Sequence, residues 1–324
     1  MKKRLLKIIS LIIVFVVIQQ AFAWAISPIS FSHWVNHDVK EHRNEINTLF
    51  LGASHMYIDL DPKLFDELAE IDSCTMNCGT TSQKISESYF YMKDLFDYCP
   101  NMKNIFVDLY VGSFMKTQES HGTDLQRKIV MSDRFMGIKN KLAYVSAEFE
   151  ADEIPQFLFR STYYKEHFYE IPSLVKTKLS DDYRSYKSIS ALYQPYYYMG
   201  YVPYNKPSSG NLVLPDNVEL TDDIDEKSFE YLQKIIDFCK KKNLNLYFTQ
   251  LPVSDSAYEE ESKYSVEIQK RILEISEKNN IKFININDRA VKNTVLEDTD
   301  FYDAEHLAIT GSKKITEYIA ASVK

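Results

Sequence analysis

Short apolar runs alternate with stretches of helical spacing along most of the chain. Leu49-Phe50-Leu51 stops abruptly at Gly52, and Ala53-Ser54-His55 follows. An unbroken apolar run ended by glycine suits a strand covered on both faces, so 48–51 is the first expected strand. A short helix over 63–70 behind Pro62, a strand over 73–77 ending at Gly79 and a helix over 82–97 come next. That helix places Ile85, Tyr89, Met92 and Phe96 on one face and stops before Pro100. A second continuous apolar run predicts a strand over 104–109.

After an interruption the rhythm resumes. Phe229, Leu232, Ile236 and Cys239 mark a helix, 244–248 a strand, Ile268, Ile272 and Ile275 another helix, and 282–286 a strand. A last helix over 311–323 turns Ile315, Ile319 and Val323 inward. Strands alternating with helices predict an α/β fold with a doubly wound parallel sheet flanked by helices. Ligands of such sheets bind beyond the carboxyl ends of the strands, where Ser54 falls.

Two stretches depart from this pattern. Lys2, Lys3, Arg4 and Lys7 precede an apolar run over 8–18 broken only by Ser10, and after Gln19 and Gln20 the apolar character returns over 21–26. The length suits a membrane span of about 20 residues with its basic end in the cytoplasm, so 1–26 is expected to be a signal anchor. Ala21-Phe22-Ala23 has the small-x-small pattern of the alternative, a cleaved signal peptide that would leave a secreted protein. Both readings export the body, and the anchor makes it a single-pass membrane protein with an extracytoplasmic domain. A polar, solvated stalk is expected over 27–45. Its His33, His37 and His42 have no accompanying carboxylate or cysteine that completes a ligand set, so no metal site is expected.

The second departure is the interruption itself, over 113–223, inside a domain that runs from 46 to 324. Eleven of the 23 tyrosines fall between Tyr163 and Tyr204, including Tyr196-Tyr197-Tyr198. A helical insertion with tyrosines packed at its base is one reading. The other is a cap over the active-site edge whose rings form a platform for sugars or an acyl chain.

The net charge is -8, and without the four N-terminal cations 34 basic groups face 46 acidic ones, a balance of -12. Nucleic acid is thereby excluded as the expected partner. Cys74, Cys78, Cys99 and Cys239 lack zinc-ligand spacing; buried thiols or a disulfide such as Cys74 to Cys99 both remain open in an exported protein.

A serine hydroxyl needs a base within hydrogen-bond reach and donors for a developing oxyanion before it attacks an ester. The turn after the first strand exposes Ser54 with its own amide, and Asp303-Ala304-Glu305-His306-Leu307 offers a base, His306, with Asp303 to orient it. His55 is a weaker candidate base, because neighbouring residues on a turn point apart. Asp59 and Asp61 read as a loop residue and a helix cap.

These blocks resemble the SGNH (GDSL-like) hydrolase superfamily, with an early Gly-x-Ser block and a late Asp-x-x-His block before the last helix. The resemblance implies a flavodoxin-like three-layer fold, Ser54 as nucleophile, His306 as base, Asp303 as its orienter, and no cofactor. Asn77-Cys78-Gly79 matches the second block and offers Gly79 with Ser54 as oxyanion donors. The third block departs from the family: Asp108-Leu109-Tyr110-Val111-Gly112-Ser113 holds no asparagine. With an apolar N-terminus and a large insertion, the chain is similar to the branch that includes teichoic-acid D-alanylation and alginate O-acetylation proteins. That branch implies a membrane-tethered esterase or O-acyltransferase acting on acylated envelope polysaccharide or teichoic acid, beside a membrane-bound O-acyltransferase. A non-catalytic glycan-binding or scaffold protein is the rival expectation.

Overall fold

The computed structural model describes residues 2–116, 121–184, 197–204, 212 and 223–323. Tyr186, Tyr193 and Tyr196 of the tyrosine-rich stretch lie outside the described residues. Five parallel strands form one sheet: β1 (Thr48–Leu51), β2 (Thr75–Asn77), β3 (Asn104–Asp108), β4 (Asn245–Gln250) and β5 (Lys282–Asn285). Their order is β2-β1-β3-β4-β5. The direction of winding therefore reverses between β1 and β3, which opens a crevice at their carboxyl ends.

Successive residues of a strand face opposite sides, so each apolar run serves two cores. Leu49, Leu51, Ile105 and Val107 pack on one side with Met92 and Leu95 of the helix Ile85–Tyr98 and Leu232 and Ile236 of the helix Glu226–Lys242. Phe50, Phe106 and Ile284 pack on the other side with Phe65 of the helix Pro62–Leu68 and Ile315 and Ile319 of the helix Ile309–Ser322. Each such buried side chain contributes about 1.5–3 kcal/mol. The helix Glu226–Lys242 overruns its expected apolar stretch because its ends are capped. Asp225 accepts from the Lys227 amide at 3.2 Å, and Asn243 closes the helix at φ 55.

The stretch expected to be a solvated stalk is instead packed on the domain. It contains the helix Ser32–Glu41, whose Trp34, Val35 and Val39 are buried with Ile26, Ile29 and Ile46 in the same core as β1. Their spacing gathers them on one side of the helix, an apolar face hidden among charged neighbours. All four cysteines are free thiols, three buried and Cys74 half-buried. Burial pushes the Cys74 thiol up to about 11 and those of Cys99 and Cys239 up to about 12.

Between residues 121 and 184 the described part of the insertion is largely helical, including His121–Ser132, Ile138–Glu148 and Ile171–Lys178. Arg127 pairs with Glu87 and Asp124, Lys128 Nζ lies 2.9 Å from Glu153, and the Tyr144 hydroxyl donates to Glu87 at 2.8 Å. This buried network ties the insertion to the helix Ile85–Tyr98. The segment 197–204 lies along the far edge of the sheet. Asn77 N donates to the Met199 carbonyl, Val202 N to Tyr57 and Ile309 N to Tyr204, each at 2.8 Å. Gly200 makes this approach possible: its φ is +87, and a Cβ there would stand 1.9 Å from the Asn77 oxygen.

Candidate active site

The site begins where β1 meets β3. A Cβ on Gly52 would lie 2.8 Å from the Asp108 Cβ, so glycine alone lets the two strand ends close on each other. The chain then turns through Ala53 into the short helix Ser54–Asp59, and Ser54 stands in its first turn. Its hydroxyl oxygen is 2.8 Å from His306 Nε2. On the other side of that ring, Nδ1 lies 3.0 and 3.1 Å from the two Asp303 oxygens. A carboxylate at Nδ1 holds the proton there and leaves the Nε2 lone pair facing the serine.

The loop around His306 is built by Asp303, whose Oδ1 accepts from the amides of Glu305 at 2.9 Å and His306 at 2.8 Å. Burial would raise the Asp303 carboxyl, but the bonds from the His306 ring, its charge and these two amides outweigh it and hold the group below its ordinary value. Asp303 is thereby ionised when the imidazole needs it.

Asp59, expected to be a loop residue, is instead the last residue of the Ser54–Asp59 helix. It is fully buried and accepts from the Leu307 amide at 2.9 Å. Burial raises its carboxyl well above the ordinary value. Asp61 caps the helix Pro62–Leu68, accepting from Lys63 N at 2.9 Å and Leu64 N at 3.1 Å. The residue that starts the short helix is therefore the hydroxyl, and the residue that ends it grips the loop carrying the histidine.

His55 is buried, with its ring centroid 4.5 Å from Tyr110 and 5.2 Å from His306. Burial first, then the neighbouring His306, lowers it to about 3, so it packs against the His306 ring as a neutral side chain. Gly79 sits beneath the serine turn; a Cβ there would lie 2.9 Å from the Ala53 oxygen. Its amide donates to Asn77 Oδ1 over 3.3 Å, and its carbonyl accepts from buried Arg134 at 2.9 Å. A role in binding an oxyanion requires the long Asn77 bond to be shared.

At the third block the Tyr110 hydroxyl donates to Glu305 at 3.0 Å, and Asp108 accepts from Leu251 N at 3.0 Å. The cleft beside Ser54 and His306 has a volume of about 740 Å³ and continues past Thr81, Gln83 and Lys84 to Lys116 and Asp225. Insertion residues Asp124, Lys128 and Glu148 form its outer wall. Next to His37, Asp38 and Glu41 bring oxygens to within 3.5 and 3.4 Å, carboxylates overlooked in the expectation that none completes a ligand set with these histidines. Their spacing on the helix Ser32–Glu41 produces this, while His33 stacks on Tyr183 and His42 pairs with Glu45.

Asp108 gives a pH test of the site's frame. Burial lifts its carboxyl from 3.8 to about 7, against the bonds from Leu251 and Thr249. A buried acid with a raised value favours folding in its protonated form, so its contribution is complete below about pH 4 and is lost as the pH rises through about 7. Asp108→Asn keeps an acceptor for Leu251 and is expected to flatten the fall in urea midpoint between those limits. An unchanged slope would assign the dependence to other groups, Glu261 foremost, whose carboxyl burial raises to about 8.

No protein-family profile matches the chain, and no curated protein matches it by sequence. Among solved structures, an acetyl xylan esterase is similar at a TM-score of 0.39 and 12% identity, over 86% of this chain and 100% of that one.

Proposed function

We propose that the protein is a serine esterase or O-acyltransferase of the SGNH type, tethered to a membrane by its N-terminal helix and acting on acyl esters of cell-envelope glycans or teichoic acids. The observation that carries this reading is the line Ser54 Oγ, His306 Nε2, His306 Nδ1, Asp303, with its 2.8 and 3.0 Å links. In this reaction the Ser54 oxygen bonds to the acyl carbon while His306 takes the hydroxyl proton. The ester's alkoxy group then leaves with that proton, and Ser54 carries the acyl group. Water or an acceptor hydroxyl reverses the steps, with His306 again as base. The oxyanion falls to the amides of Ser54 and Gly79, the second by sharing its bond to Asn77. Loss of one side-chain donor costs about 3–4 kcal/mol where measured, so slow turnover accompanies the missing asparagine.

The test is reaction of the full-length protein in detergent with a fluorescent serine-directed phosphonate and with an aryl acetate. Label on the peptide containing Ser54, absent in Ser54→Ala, is the expected result. Label elsewhere, or equal turnover by the variant, would sink the proposal. The missing asparagine favours the scaffold reading as second choice; it expects no phosphonate adduct at all.

A further inference from the structure

The apolar helix Lys2–Ile26 does not stand clear of the domain. Phe15 meets Phe159 with ring centroids 6.2 Å apart, Phe22 meets Phe168 at 6.3 Å, and the Ser161 hydroxyl donates to the Gln19 side chain at 3.3 Å. Lys178 Nζ donates to the carbonyls of Trp24 and Ser27 at 2.5 Å each, closing the end of the helix. At about 1.5 Å rise per residue, Phe15 lies about 16 Å and Phe22 about 6 Å inside the Ile26 end. The insertion thus runs along the outer half of a helix whose 23-residue, predominantly apolar span, Arg4–Ile26, matches a hydrocarbon layer of about 30 Å.

Apolar and aromatic side chains recur along this run, and two of the charges between them are paired, Arg160 with Asp133 and His167 with Glu170. Its deepest contact is made by Phe159 on Phe15, with Leu158 the residue before it; Phe168 meets Phe22 and carries Tyr169 on its other side; Lys178 is at the helix end. Leu158, Phe168 and Tyr169 are 54, 55 and 92% exposed among the described residues. Gln19 and Gln20 interrupt the apolar surface, and the Ser161 hydroxyl bonds the Gln19 side-chain oxygen, as a polar group near the bilayer core favours.

From this we infer that the segment 154–178 is a foot inserted into the outer leaflet of the bilayer. Leu158, Phe159 and Phe168 lie against acyl chains, and Tyr169 and Trp24 lie at the headgroup level, where aromatic side chains gather. The inference rests on the membrane tether proposed above. Its consequence is positional: a tether with a foot holds the body at a set height and orientation, whereas a single helix would let it swing.

The experiment uses the full chain in lipid vesicles, in a Cys74→Ser background whose other thiols are buried. Spin labels are placed singly at Val14→Cys, Leu158→Cys, Phe168→Cys, Tyr169→Cys and Val266→Cys, all at positions at least half exposed. Relaxation by oxygen, which concentrates in lipid, is compared with relaxation by a water-soluble nickel chelate. The expected result is an oxygen preference at 158 and 168 close to that at 14 and several-fold above that at 266, with 169 between. Labels at 158 and 168 that behave like 266 while 14 remains lipid-exposed would overturn the foot and leave the tether standing. Labels at 158 and 168 shielded from both reagents would overturn it in favour of a protein neighbour. A label at 14 that is water-exposed, or lost from the mature chain by mass, would refute tether and foot together.

Discussion

His306→Ala is expected to lower the proposed acylation of Ser54 by on the order of 10⁴ or more, read as the pre-steady-state burst of an aryl ester. The magnitude follows from geometry. With the ring gone, no base stands at 2.8 Å from the hydroxyl, and the proton must leave to water at the serine's own unfavourable pKa. Asp303→Asn takes the same path with a smaller loss, because its side chain is 43% exposed and solvent shares its work on the imidazolium. Phosphonate labelling separates chemistry from folding, since a folded variant keeps its circular-dichroism spectrum while losing the adduct. Retention of the burst within about tenfold in His306→Ala would reject His306 as the base.

The second large effect concerns stability. Phe106→Ala is expected to cost about 3–5 kcal/mol, measured as a shift in the urea midpoint at unchanged slope. Phe106 occupies the middle of β3 and is wholly buried. Its ring sits 5.2 Å from Phe50 and 5.3 Å from Phe65, edge to face, and stacks on Tyr247 at 4.5 Å. Four rings on three strands and one helix cannot collapse into the space left by a lost one, so the cavity persists. A loss below about 1 kcal/mol would mean that the core relaxes into the gap. Because β3 delivers Asp108 to the serine turn, the same variant is expected to weaken phosphonate labelling ahead of global unfolding.

The strands are legible in the sequence because they are buried on both faces and read as unbroken apolar runs, and the order of the elements leads to a parallel sheet. Helix ends are less legible: Asp225 and Asn243 extend one helix beyond its apolar stripe, through bonds that periodicity does not register. The packed region before β1 escapes because Trp34, Val35 and Val39 are diluted by His and Asp, although they share a face.

In the site, Ser54, Asp303 and His306 are legible from their positions after the first strand and before the last helix, and the fold brings these three side chains together. Asp61 is legible too, since the amides it caps are its neighbours. Asp59 is not, because its partner Leu307 is 248 residues away and neither residue type announces the bond. His55 beside the serine reads as chemistry, whereas its burial against Tyr110 and His306 makes it a packing surface. The Gly79 turn is legible as a turn, but the Asn77 side chain that occupies its amide is a matter of rotamer.

The helix Ser54–Asp59 spans about 9 Å and bonds the nucleophile turn at one end to Leu307 at the other. The final helix adds Thr316, whose hydroxyl accepts from the Asp61 amide at 3.1 Å. The spacing between hydroxyl and imidazole is consequently held by bonds between parts far apart in the chain. A lineage bearing this clasp is free to lengthen, shorten or replace much of the hundred-odd residues between β3 and β4, changing which molecules reach the cleft while Ser54 and His306 stay in register.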